Sequence, residues 1–319
     1  TRLSSSRRSS LVGGGVHKQD GPGFPLLFAF PPNTSPEGIV ASADPSTTPA
    51  GALGLIVCVP ELGGTKERLR SQLTLLANAG FIAIAIDGRD HGERHQTGSM
   101  SAIEGWQTNQ KAFFWPLLVG TAQDIVATVA WAKYMWPYWS NLAIGVLGDS
   151  MGGDAALVAC QIDETIAAVI ALRATPDWMR PGSIGNVIGD DEDGDELYES
   201  MCPAHNQKTY SHQPAICLIS GANDEHVPMA SAQRFVTELQ RTVYADRRDK
   251  LQLIVLDSGG WHGHMFSRDA IPKVQNAMLL WFKKFLGAES AVLSLVTRDT
   301  SERISMPTGG DEGTHPPRR

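Results

Sequence analysis

The chain has 319 residues, of which 42% are hydrophobic and 19% charged, a balance that excludes disordered, fibrous and membrane-embedded classes and fits one sizeable α/β domain. Its formal net charge of -7 provides no general attraction for a phosphate backbone or for anionic lipid, so neither nucleic acid nor a membrane is the expected partner. A small-molecule substrate is the better expectation, and the oligomeric state is left open.

From Thr1 to Gln19 the chain is rich in Ser and Arg and contains no acid, so residues 1–22 are expected to form a disordered leader. An Arg/Ser-rich, acid-poor start resembles the end of an organellar transit peptide, which leaves both cytoplasmic and organellar locations open. Residues 23–288 are expected to form the folded domain. Within it, an apolar run from Leu53 to Val59 predicts a buried strand, and Leu69, Leu73 and Leu76 follow at helical spacing before Gly80. Phe81–Ile86 predicts a second strand. Residues His91 to Pro116 then make a long connection whose Trp106 and Trp115 are expected to pack on the sheet edge.

Leu142–Leu147 predicts the third strand, Ala155–Cys160 a helix, and Ile166–Leu172 the fourth strand. Residues 175–213, broken by prolines and carrying a cluster of acids, read as a lid or insertion, because long connections in compact domains are usually functional. Ala215–Ile219 and Leu251–Leu256 complete the strands. Val274, Met278, Trp281 and Phe285 mark the last helix before Gly287. Residues 289–319 are polar, without apolar period, and are expected to be a second tail. Every apolar run is read as interrupted by Gly, Pro or charge within about a dozen residues, too short to cross a bilayer. Cys58, Cys160, Cys202 and Cys217 show no C-x-x-C spacing, which predicts free thiols rather than a disulfide framework.

Alternating β and α segments imply a mostly parallel sheet with helices on both faces, with ligands at the carboxyl ends of its strands. At one of those ends stands Gly148-Asp149-Ser150-Met151-Gly152-Gly153. Small residues around a serine permit a tight strand-to-helix turn that lifts the hydroxyl clear of the sheet, at the positive end of a helix. The amide of Met151 is then placed to donate to an oxyanion. A serine hydroxyl becomes nucleophilic only when a positioned histidine takes its proton, and that histidine needs a carboxylate to fix its tautomer. Asp224, in the loop after Ala215–Ile219, is the expected acid, with Glu225 in reserve. The loop after the last strand carries His262 and His264; His264 is the expected base, because Gly263 before it permits an inward turn and Phe266 after it can anchor the loop, leaving His262 to line the pocket mouth. The second oxyanion donor is sought in Pro60-Glu61-Leu62-Gly63-Gly64-Thr65, with the amide of Leu62 the choice.

With these residues in place, the chain resembles an α/β hydrolase, and more narrowly the dienelactone-hydrolase and prolyl-oligopeptidase-related esterases. The likeness rests on Gly63-Gly64-Thr65-Lys66-Glu67, Asp87-Gly88-Arg89-Asp90-His91-Gly92-Glu93-Arg94, the serine turn, the Gly221–Pro228 loop and Gly263-His264-Met265-Phe266. It implies the α/β-hydrolase fold, a Ser150–His264–Asp224 triad and cofactor-free hydrolysis of an ester or related acyl bond. The chain departs from the pattern at Pro60-Glu61, where many relatives carry His-Gly. Dienelactone hydrolases carry a glutamate there but use a cysteine nucleophile. Glu61 therefore either lines the site or caps its own turn.

Some patterns fail on their own terms. His91 and His95 flank a loop with Gly92 where a metalloprotease helix needs its glutamate. The acids from Asp190 to Glu196 lack the first and last ligands of a calcium loop. No metal is expected at either. Asp124 reads as a structural partner. The functional expectation is a carboxylesterase acting on a small-molecule acyl ester; the rivals are a thioesterase or acyltransferase, a peptidase, and a non-catalytic binding relative. Peptidase is the weaker, since these residues include no propeller segment.

Overall fold

A computed structural model describes residues 15–32 and 52–287. Eight strands form one sheet in the order β1-β2-β4-β3-β5-β6-β7-β8: β1 (Val16–Asp20), β2 (Pro25–Ala29), β3 (Leu55–Val59), β4 (Ile82–Ile86), β5 (Ile144–Asp149), β6 (Ile166–Leu172), β7 (Ala215–Gly221) and β8 (Leu251–Leu256). From β4 to β8 every pairing is parallel, whereas β1 and β2 pair antiparallel with each other and β2 with β4. The six strands expected from the apolar runs are all present. The hairpin is an addition, and β1 corrects the boundary of the leader, because Val16–Asp20 lies within residues 1–22 yet adds an edge strand. The tail at 289–319 and the start of the leader lie outside the described residues.

The β period places alternate residues on opposite faces. Leu55, Val57 and Val59 of β3 pack in one core with α3 (Trp115–Met135), α4 (Met151–Ile162), α5 (Glu192–Met201) and α6 (Ala230–Arg241), while Ile56 and Cys58 pack in the other with α1 (Arg70–Asn78) and α7 (Ile271–Leu286). α1 presents Leu73 and Leu76, and α7 presents Val274, Met278, Trp281, Phe282 and Phe285, the stripe of an amphipathic helix. The four cysteines are free and buried, and burial pushes each thiol well above its usual range.

α3 corrects the reading of the apolar runs. The stretch Gln110–Met135 is one helical segment long and apolar enough to cross a membrane by composition, but 67% of its apolar window is covered by the rest of the chain. It packs against α4 at the centre of the larger core. Asp124, on this helix, accepts from Arg89 Nε at 3.0 Å and from Arg94 Nη2 at 2.7 Å, the structural role expected of it.

The two motifs after β3 and β4 meet in a buried ion pair. Lys66 and Asp87 have fully buried side chains with Nζ 2.7 Å from Oδ2, and the Lys66 amide donates to Asp87 Oδ1 at 2.7 Å. Glu93 takes a second hydrogen bond from the ammonium at 2.6 Å. Burial disfavours the charge on Lys66, but Asp87 and Glu93 outweigh it and hold the ammonium above its ordinary range. Lys66→Met leaves the Asp87 carboxylate buried without its counter-ion, so chemical denaturation should show a loss of about 3–5 kcal/mol. A loss under about 1 kcal/mol would reduce the pair to the energetic weight of a surface contact.

Candidate active site

The turn after β5 is built by close approach. Ser150 has φ 51° and ψ -116°, a region costly for any side chain and tolerated where surrounding structure imposes it. A Cβ on Gly148 would fall 2.0 Å from the Gly152 carbonyl oxygen, and one on Gly152 would fall 2.3 Å from that of Val59. Larger residues at either position therefore cannot form this turn, and the second contact brings the start of α4 against the end of β3. The Ser150 amide donates to Leu172 O at 2.7 Å, and Ser150 O accepts from Gly153 N at 2.8 Å and Asp154 N at 3.0 Å. The side chain is thus held at the first turn of α4, whose leading amides have no partner within the helix.

Two other strand ends converge on it. His264 Nε2 lies 3.1 Å from Ser150 Oγ, and His264 Nδ1 lies 2.8 Å from Asp224 Oδ2. All three residues are buried. Asp224 Oδ1 accepts from the amides of His226 at 3.0 Å and Val227 at 2.7 Å, which fixes the carboxylate so that its other oxygen faces the imidazole. With Nδ1 donating to a carboxylate, Nε2 is left as the acceptor for the serine proton. Gly263, at φ 78°, allows the approach of the two loops: a Cβ there would sit 1.9 Å from Asn223 O. The histidine loop closes through His264 N to Trp261 O at 3.1 Å.

The expected oxyanion donors are placed as follows. Met151 is the first residue of α4. Leu62 occupies the second position of a turn closed by Gly64 N to Glu61 O at 2.8 Å, a hydrogen bond that does not use the Leu62 amide. Glu61 folds back on this turn, its carboxylate pairing with Arg68 and lying against Gly64. It stabilises the loop and is not brought to Ser150. His262 is likewise not brought to it: its largely exposed side chain pairs with Glu225 at 3.4 Å, so Glu225 is engaged there and is not in contact with His264.

His226, passed over in the sequence, is buried with its ring centroid 5.0 Å from that of His264, 4.5 Å from Trp261 and 5.4 Å from Trp106. Trp106 therefore borders the site instead of merely packing on the sheet, whereas Trp115 stacks on Tyr198 at 5.2 Å in the core. The available signal was position: His226 is two residues past Asp224, at a strand's carboxyl end. Burial, then the charges of Arg180 and His264, push the His226 imidazole down to about 4 from its ordinary 6.5. Between those values the unfolded chain takes up a proton that the folded chain refuses. Stability is unaffected above pH ~6.5 and falls as the pH drops towards ~4, by up to about 3 kcal/mol. Urea titrations at pH 7 and pH 4 should show a smaller loss for His226→Gln than for wild type; equal losses would remove His226 as the source.

The segment 175–213 is less detachable than a lid. Its far half is core: Tyr198, Cys202 and Tyr210 are buried, and Tyr210 Oη donates to Leu157 O at 3.0 Å. Its near half crosses the acid loop, with Ile184 N donating to Glu225 O at 3.0 Å and Ile188 O accepting from Lys111 N at 3.1 Å. Arg180 in that half has a buried side chain paired with Asp154.

The model of the prolyl oligopeptidase family matches residues 67–289, more than half of the 319 residues. The chain belongs to the prolyl oligopeptidase family. YitV of Bacillus subtilis (strain 168), a protein named as a candidate esterase, is 23% identical over 247 residues, covering 74% of this chain and 90% of YitV. Among solved structures, TT1662 from Thermus thermophilus superposes with a TM-score of 0.61 at 19% identity, covering 86% of this chain and 98% of that one. A Klebsiella pneumoniae protein named as a candidate dienelactone hydrolase superposes with a TM-score of 0.55 at 16% identity, covering 85% and 98%. The fold is that of the α/β hydrolases, as the resemblance implied, and as a member of the prolyl oligopeptidase family the chain is a hydrolase.

Proposed function

We propose that the chain is a serine esterase in which Ser150 is the nucleophile, His264 the general base and acid, and Asp224 the residue that orients it. The observation that carries this reading is the unbroken hydrogen-bond path from Ser150 Oγ through His264 to Asp224, at 3.1 and 2.8 Å. Ser150 Oγ attacks the acyl carbonyl as its proton passes to His264 Nε2, and the imidazolium formed is stabilised by Asp224. The tetrahedral oxyanion is received by the amides of Leu62 and Met151, dipoles already oriented before charge develops. His264 then returns the proton to the leaving oxygen, giving an acyl enzyme, and a water activated by the same imidazole releases the acid.

Ester over amide is supported by the 90% coverage of YitV. The peptidase reading is favoured by one observation, the family match itself. An alkoxide or phenoxide leaves more readily than an amine, so the comparison is direct: nitrophenyl esters of rising acyl length assayed beside matched thioesters and anilides. The expected result is turnover of esters with anilides slower by at least about 10²-fold in kcat/KM, roughly 2.7 kcal/mol at the transition state. Anilides cleaved as fast as esters would transfer the assignment to a peptidase, and preference for thioesters to a thioesterase. We further propose that residues 180–190, which cross the acid loop, wall the acyl pocket as a fixed border.

A further inference from the structure

We infer that Arg173 is a positioning residue that locks the histidine loop to the nucleophile turn through Asp149; this rests on the serine-hydrolase reading above. Arg173 directly follows β6, the strand between β5, which leads to Ser150, and β7, which leads to Asp224. Its guanidinium is buried and forks onto the Asp149 carboxylate, Nε to Oδ1 at 2.9 Å and Nη2 to Oδ2 at 2.5 Å. The remaining nitrogen, Nη1, reaches the other side of the site, 3.3 Å from the His264 carbonyl oxygen and 2.8 Å from Met265 Sδ. The cation also lies 5.8 Å from the centre of the Phe266 ring. One side chain therefore holds the residue before the nucleophile, the backbone of the base and the two residues after it.

The backbone around Arg173 makes the same connections. Leu172 O accepts from Ser150 N at 2.7 Å, and Arg173 N donates to Ile219 O at 2.7 Å, tying it to the strand that carries the acid loop. Arg173 itself has φ 50°, a strained conformation for a side chain of this size, which surrounding contacts must hold in place. A planar fork binds a carboxylate in one orientation, which a point-charge ammonium does not do. The Ser150–His264 separation of 3.1 Å depends on two loops that approach from different strands, and Arg173 spans them. A misplacement of about 1 Å at such a contact costs on the order of 10²-fold in rate without weakening substrate binding.

The test is a KM-against-kcat split on one activated ester, with the first-order rate of fluorophosphonate modification of Ser150 measured in parallel. Arg173→Met should lower kcat and the modification rate by about 10²-fold while KM stays within a few-fold of wild type. Arg173→Lys should recover part of the loss, since it restores the charge on Asp149 but not the fork. Asp149→Asn, which keeps the shape of the partner, should lower kcat in the same direction, and combining it with Arg173→Met should add little, because both changes break one unit. If Arg173→Met does not fold, Asp149→Asn alone decides. A wild-type kcat in Asp149→Asn, or in a folded Arg173→Met, overturns the inference, as does a loss confined to KM. Wild-type turnover in Ser150→Ala would instead sink the serine-hydrolase reading, so the two failures are distinguishable.

Discussion

Ser150→Ala is expected to fold as wild type and to lose on the order of 10⁶-fold in kcat, with only background hydrolysis by the oxyanion donors remaining. The fold should survive because the turn is held by backbone hydrogen bonds of Ser150 to Leu172, Gly153 and Asp154, none of which uses the hydroxyl. Alanine meets the same φ of 51° as serine, so no new strain arises. The activity should collapse because, among the described residues, no other hydroxyl or thiol is in hydrogen-bond contact with His264, and the four cysteines are buried with thiols pushed well above their usual range. Thermal midpoints within a few degrees of each other, alongside complete loss of ester turnover, are the expected pair of results. Turnover near wild type would remove Ser150 from the chemistry.

The second large effect separates two histidines only two residues apart. His264→Ala should lose about 10⁴-fold or more in kcat, because it removes the imidazole that bridges Ser150 Oγ and Asp224 Oδ2. It also strands Asp224, a buried carboxylate whose remaining partners are two backbone amides. His262→Ala should stay within about tenfold of wild type, since its exposed pair with Glu225 contributes little. Its backbone contact, His262 O accepting from Glu225 N at 3.0 Å, survives the substitution. The reverse ranking in a single ester assay would assign the base to His262.

The parallel strands were legible because each is an apolar run ending in a turn, and Ser150, Asp224 and His264, which the fold brings into hydrogen-bond contact, were legible because each follows such a run. Strand bounds moved by at most two residues, as between the expected Leu53 and the observed Leu55 at the start of β3. Of the hairpin, β2 is itself a short apolar run, Pro25–Ala29, that the reading passed over, whereas β1 was not legible. Val16–Asp20 carries His17, Lys18, Gln19 and Asp20 on an edge strand, where polar residues are tolerated on the solvent side and no apolar run betrays the element. α3 was missed as a long apolar helix because a core helix and a succession of interrupted apolar runs differ only in what surrounds them. Arg173 and His226 were each written plainly at a strand's carboxyl end. Their roles depend on Asp149, on the backbone of His264 and on the rings of Trp106 and Trp261, neighbours brought by packing from distant positions. Glu61 shows the converse: a residue with a suggestive place in the sequence is claimed by Arg68, seven positions further along the chain, and is turned away from the serine.

The decisive measurement is the site of covalent modification by a fluorophosphonate, read by mass mapping of the full-length protein after proteolysis. A single adduct is expected on the peptide carrying Ser150, formed in step with loss of esterase activity and absent from the Ser150→Ala and His264→Ala proteins. An adduct on another residue, or activity that persists while Ser150 is fully modified, would contradict the assignment of Ser150 as the nucleophile.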